Sequence, residues 1–348
     1  MTTMPRLNAL ATAVPPFVLR QAEIERRARG YFAGSAALDL DRLLPVFANA
    51  GIDTRYSCVP LEWYDRLHGW ADRNALYLEQ ATRLLDKAAR QVLARAGLAP
   101  EAIDAVVTVS TTGIATPSLD ARLMDRLGLR RDLRRLPVFG LGCAGGVIGL
   151  ARAADLARAN PGARVLLLVV ELCALCFRKG DPSKSNVVAT ALFGDGAAAA
   201  VVSTSGDGPA LGASGEHTWP DSLDIMGWDV TGDGLKAIFS RDIPALVRNQ
   251  LRDAADAFLA RAGLSVDDIG HFVCHPGGVK VLAALEAAYG LETGALDDGR
   301  AVLRDYGNMS AATVLFVLER KLASKADGRM LLSSLGPGFT AGFQLLES

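Results

Sequence analysis

The sequence is short of the residues that staple a chain, hold metals or grip polyanions. Five cysteines in 348 residues are too few for a disulfide scaffold. Four histidines and those cysteines show no metal-ligand spacing. An excess of either charge is missing too, with 37 Lys and Arg against 38 Asp and Glu, a formal net charge of -1. This balance gives no electrostatic footprint for nucleic acid or for an anionic membrane surface. No apolar run is long enough for membrane insertion. The most apolar one, Val165 to Val170, continues past Glu171 to Phe177 and reads as a buried strand. Met1 to Ala13 carries one Arg and no apolar core with a cleavage signature, so no secretory leader is expected. Together these absences predict a cytoplasmic protein, in a reducing compartment where a cysteine is catalytic, ligand-binding or inert.

What is present is a large apolar fraction, 50% against 22% charged, enough for a sizeable core. The length suggests two domains or one duplicated unit. The sequence also repeats itself. Leu93-Ala-Arg-Ala-Gly-Leu98 recurs word for word as Leu259-Ala-Arg-Ala-Gly-Leu264, an offset of 166. The same offset sets Ala105-Val-Val-Thr-Val109 on His271-Phe-Val-Cys-His275, Gly142-Cys143 on Asn308-Met309, and Val165-Leu-Leu-Leu on Leu331-Leu-Ser-Ser. One offset held across four elements argues for duplication. Each half reads as helix, strand, strand–turn–helix, strand, which predicts an α/β fold with helices covering sheets. The break lies near Ser203 to Leu211, giving halves 1–206 and 207–348. The first sixty residues and Trp219 to Asp242 fall outside the repeat and are expected to form entrance and lid elements.

Cys143 stands in Gly140-Leu-Gly-Cys-Ala-Gly-Gly146, between an apolar strand and an Ala/Leu helix. A thiol at a helix N-terminus is expected to have a lowered pKa, as a nucleophile needs; a small buried residue at a crowded turn is the plainer alternative. His275 ends its strand before Pro276-Gly-Gly278, and Asn308 occupies the turn related to that of Cys143. Each taken alone reads as a turn or capping residue. Together, Cys, His and Asn at strand ends make a plausible acyl-transfer site. The thiol would take an acyl group, and His and Asn would donate hydrogen bonds to a carbonyl oxygen gaining charge.

The loops Gly142-Cys-Ala-Gly-Gly146, Ala191-Leu-Phe-Gly-Asp-Gly-Ala197, His275-Pro-Gly-Gly278, Gly307-Asn-Met-Ser310 and Gly336-Pro-Gly338 occur together and in this order. This combination resembles the type III polyketide synthases, the chalcone and stilbene synthase family. The resemblance implies a thiolase-like, duplicated αβαβα layered fold, a homodimer, and a triad of Cys143, His275 and Asn308. It implies no cofactor beyond CoA thioesters, with an acyl-CoA starter loaded on Cys143 and malonyl-CoA as extender. Phe193 matches the family's gatekeeper aromatic; Ala237, with Phe239 close by, occupies the second gatekeeper position. Thr111, Thr112, Thr116, Cys173, Cys176 and the loop Gly336, Pro337 and Gly338 fall at substrate-pocket positions. Cys173 and Cys176 replace the Thr usual in plant enzymes, Thr116 stands where a Met often crosses the dimer interface, and Ser334 replaces the first Gly of the final loop. Arg42, Arg241 and Lys280 are candidates for the CoA phosphates. Ser183-Lys-Ser-Asn186 through Ala197 resembles the bacterial branch, which implies fatty acyl starters and alkylpyrone or alkylresorcinol products.

Other readings explain less. Gly140-x-Gly142-x-x-Gly145 formally matches a dinucleotide fingerprint, but that leaves Cys143 and the Asn308 turn without a role. Cys173-x-x-Cys176 as a redox or metal pair lies at an apolar strand end rather than a helix start. A condensing enzyme like 3-ketoacyl synthase III shares the Cys-His-Asn logic, and a non-catalytic acyl- or CoA-binding protein would need no reactive thiol. His68, His217 and His271 have no role in this reading.

Overall fold

The computed structural model describes residues 4–32 and 39–348. Alternation of buried side chains builds the architecture. In β4 (Ala105–Val109) and β6 (Arg164–Leu172), Val106, Leu166, Leu168 and Val170 face one core, while Val107, Val109, Leu167 and Val169 face another. Strands apolar on both faces must be covered on both faces. The 27-residue helix Trp70–Ala96 covers the first face with Leu85, Ala88, Ala89 and Val92. Helices Gly145–Ala159 and Thr313–Ala323 fill the second. The C-terminal half repeats the scheme. Val273 of β11 (His271–Cys274) and Met330 and Leu332 of β12 (Arg329–Gly336) face the same central helices, and Leu331 and Leu335 face helices Ile243–Arg261 and Val279–Tyr289. Helix, sheet, paired helices, sheet and helix make five layers.

The remaining strands are β1 (Arg6–Ala13), β2 (Phe17–Arg20), β3 (Thr54–Ser57), β5 (Arg134–Val138), β7 (Asp195–Ser203), β8 (Ala210–Thr218), β9 (Met226–Thr231), β10 (Gly234–Phe239) and β13 (Thr340–Glu347). Nine strands run in the order β11-β12-β13-β8-β1-β7-β6-β4-β5. The offset of 166 reappears as geometry: β4 pairs β6 in parallel in the first half, and β11 pairs β12 in parallel in the second. Both central helices follow the turns that carry Cys143 and Asn308. The segments outside the repeat form the pair β2–β3 and the hairpin β9–β10. Among the described residues, no helix is long and apolar enough to cross a membrane.

Candidate active site

Cys143 sits in a single tight turn, Gly142–Ala144, immediately before the helix Gly145–Ala159. Two contacts explain the glycines around it. Gly142 has φ +47, and a Cβ there would lie 2.5 Å from Pro337 Cδ. A Cβ on Gly146 would strike the Ala311 carbonyl oxygen, at the head of the partner central helix. The Cys143 turn can therefore meet the Pro337 loop and the Ala311 turn only if these two positions carry no side chain. Gly336 braces the Cys143 turn from the other side, since a Cβ on it would lie 2.8 Å from the Ala144 nitrogen.

His275 follows β11, and its amide donates to Ser333 O at 2.9 Å, which extends the β11–β12 ladder to the imidazole. Asn308 is held by backbone on both sides: its N–H donates to Leu192 O at 2.9 Å and its carbonyl accepts from Gly194 N–H at 3.0 Å. Its side-chain oxygen accepts from Ser310 N–H at 2.8 Å, and Nδ2 makes only a long 3.4 Å contact to Gly277 O. The amide nitrogen therefore keeps donor capacity for another acceptor.

The structure brings Cys143, His275 and Asn308 onto one cavity of about 490 Å³. Its mouth carries Arg42, Arg241 and Lys280, as the sequence suggested, and Lys184, which it did not. All four are exposed, and among the described residues none has an ion-pair partner. The Lys184 ammonium is lowered by burial and by the Arg241 and Arg42 charges, so these cations are mutually repelling neighbours. Like charges gathered at a cavity mouth without counter-ions suit an anionic ligand. Ser334 also lines the cavity, as do Ser333, Leu335, Val188 and Leu192, which the sequence did not single out for that role.

Electrostatics departs from the expected lowering of the thiol pKa. Burial pushes the Cys143 thiol up to about 12, against a smaller opposing hydrogen bond with Ser310. Burial pulls the His275 imidazole down to about 4, and both its ring nitrogens lack protein partners. At neutral pH each group, taken alone, is uncharged. Desolvation exceeds what one helix terminus supplies.

Other pocket candidates lie around this cavity rather than on it. Phe193 and Cys173 line a separate apolar pocket of about 40 Å³, with Ala189, Phe177 and the buried Arg55. Phe193 packs 5.5 Å from Phe239, which lines the Cys143 cavity, and 5.8 Å from Trp228. It therefore stands between the two spaces, with Ala237 beside it. Thr112 and Cys176 line a third small pocket. Thr111 accepts from Gly142 N–H at 3.1 Å, and both threonines donate to Glu171, Thr111 through its amide at 3.0 Å and Thr112 through its hydroxyl at 2.8 Å. Thr116 lies on an exposed loop away from the cavity. Pro337 is half-buried beside the Cys143 turn, and Gly338, also half-buried, lies against Thr340 and Thr218 and accepts from Ser222 Oγ at 2.8 Å.

Comparison with known proteins agrees with this arrangement. The family model for the N-terminal domain of chalcone and stilbene synthases matches residues 65–206, and that for the C-terminal domain matches 211–348. A Bacillus subtilis (strain 168) protein, provisionally named a chalcone synthase, is 40% identical over 97% of both chains. The 1,3,6,8-tetrahydroxynaphthalene synthase of Streptomyces peucetius subsp. caesius is 40% identical over 97% of this chain and 92% of its own. The crystal structure of the corresponding synthase from Streptomyces coelicolor A3(2), a bacterial type III polyketide synthase, superposes with a TM-score of 0.94 at 31% identity, covering 99% of each chain. With both halves matched and the thiolase-like layers in place, the chain belongs to the chalcone and stilbene synthase family and is a type III polyketide synthase, an acyltransferase-type condensing enzyme.

Proposed function

We propose that Cys143 attacks the thioester of a starter acyl-CoA, releases CoA thiol and holds the acyl group as an enzyme thioester. The neutral thiol would pass its proton to His275 as the thiolate forms. Each charge is unfavourable alone in so buried a site, so the two form together as a pair. Malonyl-CoA then enters past Arg42, Lys184, Arg241 and Lys280. The His275 ring and Asn308 Nδ2 donate to its thioester carbonyl. Cleavage of the carboxylate–carbon bond releases CO2 and leaves the electron pair as an enolate, whose oxygen those donors stabilise. The enolate carbon attacks the acyl-Cys carbonyl, the Cys143 sulfur leaves, and a β-ketoacyl-CoA two carbons longer results. Reloading repeats the cycle until the chain cyclises.

The observation that carries this reading is the convergence of Cys143, His275 and Asn308 on one cavity with a cationic mouth. The substrates are therefore an acyl-CoA starter and malonyl-CoA. For the starter we favour fatty acyl groups, leading to alkylpyrones or alkylresorcinols. The apolar pocket behind Phe193 and Cys173 supports this, as its lining suits a hydrocarbon tail once Phe193 turns aside. A second reading, in which malonyl-CoA also primes, is favoured by three relatives named as 1,3,6,8-tetrahydroxynaphthalene synthases. Mass spectrometry of products from malonyl-CoA with and without a panel of acyl-CoA starters decides between them. Product masses that track the starter support the first; one product independent of the starter supports the second.

We further propose a homodimer that pairs around β5. Residues 134–137 of this edge strand are exposed, and Leu136 within it and Phe139 just after it are exposed apolar residues. An unprotected edge with apolar flanks calls for a cover. A monomer mass by light scattering at micromolar concentration would contradict this.

A further inference from the structure

The side chain of Arg55 in β3 is 1% exposed, and it sits outside both the sequence repeat and the matched family segments. Such a cation is costly to bury unless its donors are used. Nη1 donates to the Phe193 carbonyl at 2.9 Å, and Nη2 donates to Gln21 Oε1. Gln21 is itself fixed by donating to Phe47 O at 3.1 Å and Ala191 O at 3.0 Å. Burial pulls the guanidinium down to about 9, opposed by the nearby Asp195 carboxylate, so it stays charged at neutral pH.

The Phe193 carbonyl belongs to the same peptide unit as the Gly194 N–H, which makes one bond of a two-bond bridge. Asn308 pairs in parallel with Phe193, through Leu192 O on one side and Gly194 N–H on the other. The Arg55 stem also lies beneath both strands of this bridge. A Cβ at Gly194 would come 3.1 Å from Arg55 Cβ, and one at Gly307 would come 3.2 Å from it. Neighbouring β3 bonds tie the same strand to the C-terminal half, with Thr54 Oγ1 donating to Asp305 O at 2.8 Å. Arg55 itself does not line the Cys143 cavity.

We propose that Arg55 is a positioning residue: by holding the Phe193 carbonyl it sets the backbone of Asn308, and so aims the Asn308 amide at the malonyl thioester carbonyl. This rests on the donor role given to Asn308 above. The side-chain amide is tied to its own turn, with Oδ1 accepting from Ser310 N–H at 2.8 Å and Nδ2 making only a long 3.4 Å contact to Gly277 O, so its direction follows the backbone of that turn. A shift of the turn by a fraction of an ångström misaims a group that must meet a developing charge.

The test compares Arg55→Met and Arg55→Lys with wild type in three measurements: malonyl-CoA decarboxylation, acylation of Cys143 by acetyl-CoA, whose acyl group is too short to reach the Arg55-lined pocket behind Phe193, and thermal melting. Arg55→Met should lower kcat for decarboxylation about 10- to 100-fold while acylation of Cys143 stays within about twofold. Arg55→Lys, which keeps the charge and one donor, should recover part of the loss. A purely structural role would lower acylation and decarboxylation together, in step with the folded fraction, and that result would overturn the proposal. If Arg55→Met does not fold, the Lys variant alone decides by the same split. If neither folds, the proposal also fails, because the residue then serves the fold. Asn308→Ala is the control. If it decarboxylates normally, the role of Asn308 falls and this inference with it. If it does not and both Arg55 variants behave as wild type, this inference falls alone.

Discussion

Gly142 and Thr111 are joined by a hydrogen bond of 3.1 Å from the amide of the residue before Cys143 to a threonine hydroxyl 31 residues earlier. Thr111 in turn donates its amide to Glu171, a carboxyl with no exposed surface. The Cys143 turn is thus braced through one threonine to a buried acid. Burial pushes Glu171 up to about 8, only partly opposed by the Thr111 and Thr112 hydrogen bonds.

This raised carboxyl predicts a pH dependence of stability. It holds its proton to about pH 8 when folded and releases it near 4.5 when unfolded. The folded state therefore binds the extra proton between those values, and stability is lost as pH rises through that window. Glu171→Gln keeps an acceptor for both threonines and removes the titration. Its melting temperature should equal that of wild type near pH 5 and exceed it at pH 8, at about 2–4 °C per kcal/mol regained. A difference between the two proteins that does not change with pH would refute this.

Close packing of the Cys143 and Asn308 turns predicts a stability defect at Gly146. Gly146→Ala places a methyl against the Ala311 carbonyl and Val314. Overpacking of this kind costs about 1–3 kcal/mol, to be read from urea midpoints. Gly140→Ala is the comparison: no atom lies within 4 Å of its Cβ position, and its cost comes from φ +93 alone.

How much was legible in the sequence differs by feature. The repeat offset located the paired strands and both central helices, because helices and buried strands leave periodic apolar patterns. The turns of Cys143, His275 and Asn308 were legible from Gly and Pro at fixed places beside chemistry-bearing residues. Lys184 was missed although Ser183-Lys-Ser-Asn186 had been singled out; only the folded mouth shows it beside Arg241 and Arg42. Thr111, Thr112 and Glu171 form bonds spanning about sixty residues, and Arg55 reaches Phe193 across 138. Such contacts leave no period to read. The direction of the Cys143 pKa also escaped, because it depends on burial rather than on the helix that follows.

The cationic mouth predicts a binding defect. Lys184→Ala should raise KM for malonyl-CoA about 3- to 10-fold with little change in kcat, and the difference should shrink in about 0.5 M salt. An unchanged KM at low salt would remove Lys184 from the entrance.

Cys173 predicts a product shift. It is buried on the pocket behind Phe193. Cys173→Phe fills that space, so acceptance should move to shorter starters while malonyl-CoA decarboxylation persists. Product profiling with a starter ladder reads the shift, and loss of decarboxylation would show that the residue is more than a wall.

Division of labour between Cys143 and the other two residues is the central claim, and peptide-resolved mass spectrometry tests it most directly. Protein incubated with a starter acyl-CoA and quenched should carry the acyl mass on the peptide containing Cys143 and nowhere else. Cys143→Ala should lose that adduct and all condensation products yet still release CO2 from malonyl-CoA. His275→Ala and Asn308→Ala should lose about 100- to 1,000-fold of that release. An acyl adduct on another residue, or full decarboxylation without His275 and Asn308, would contradict the account.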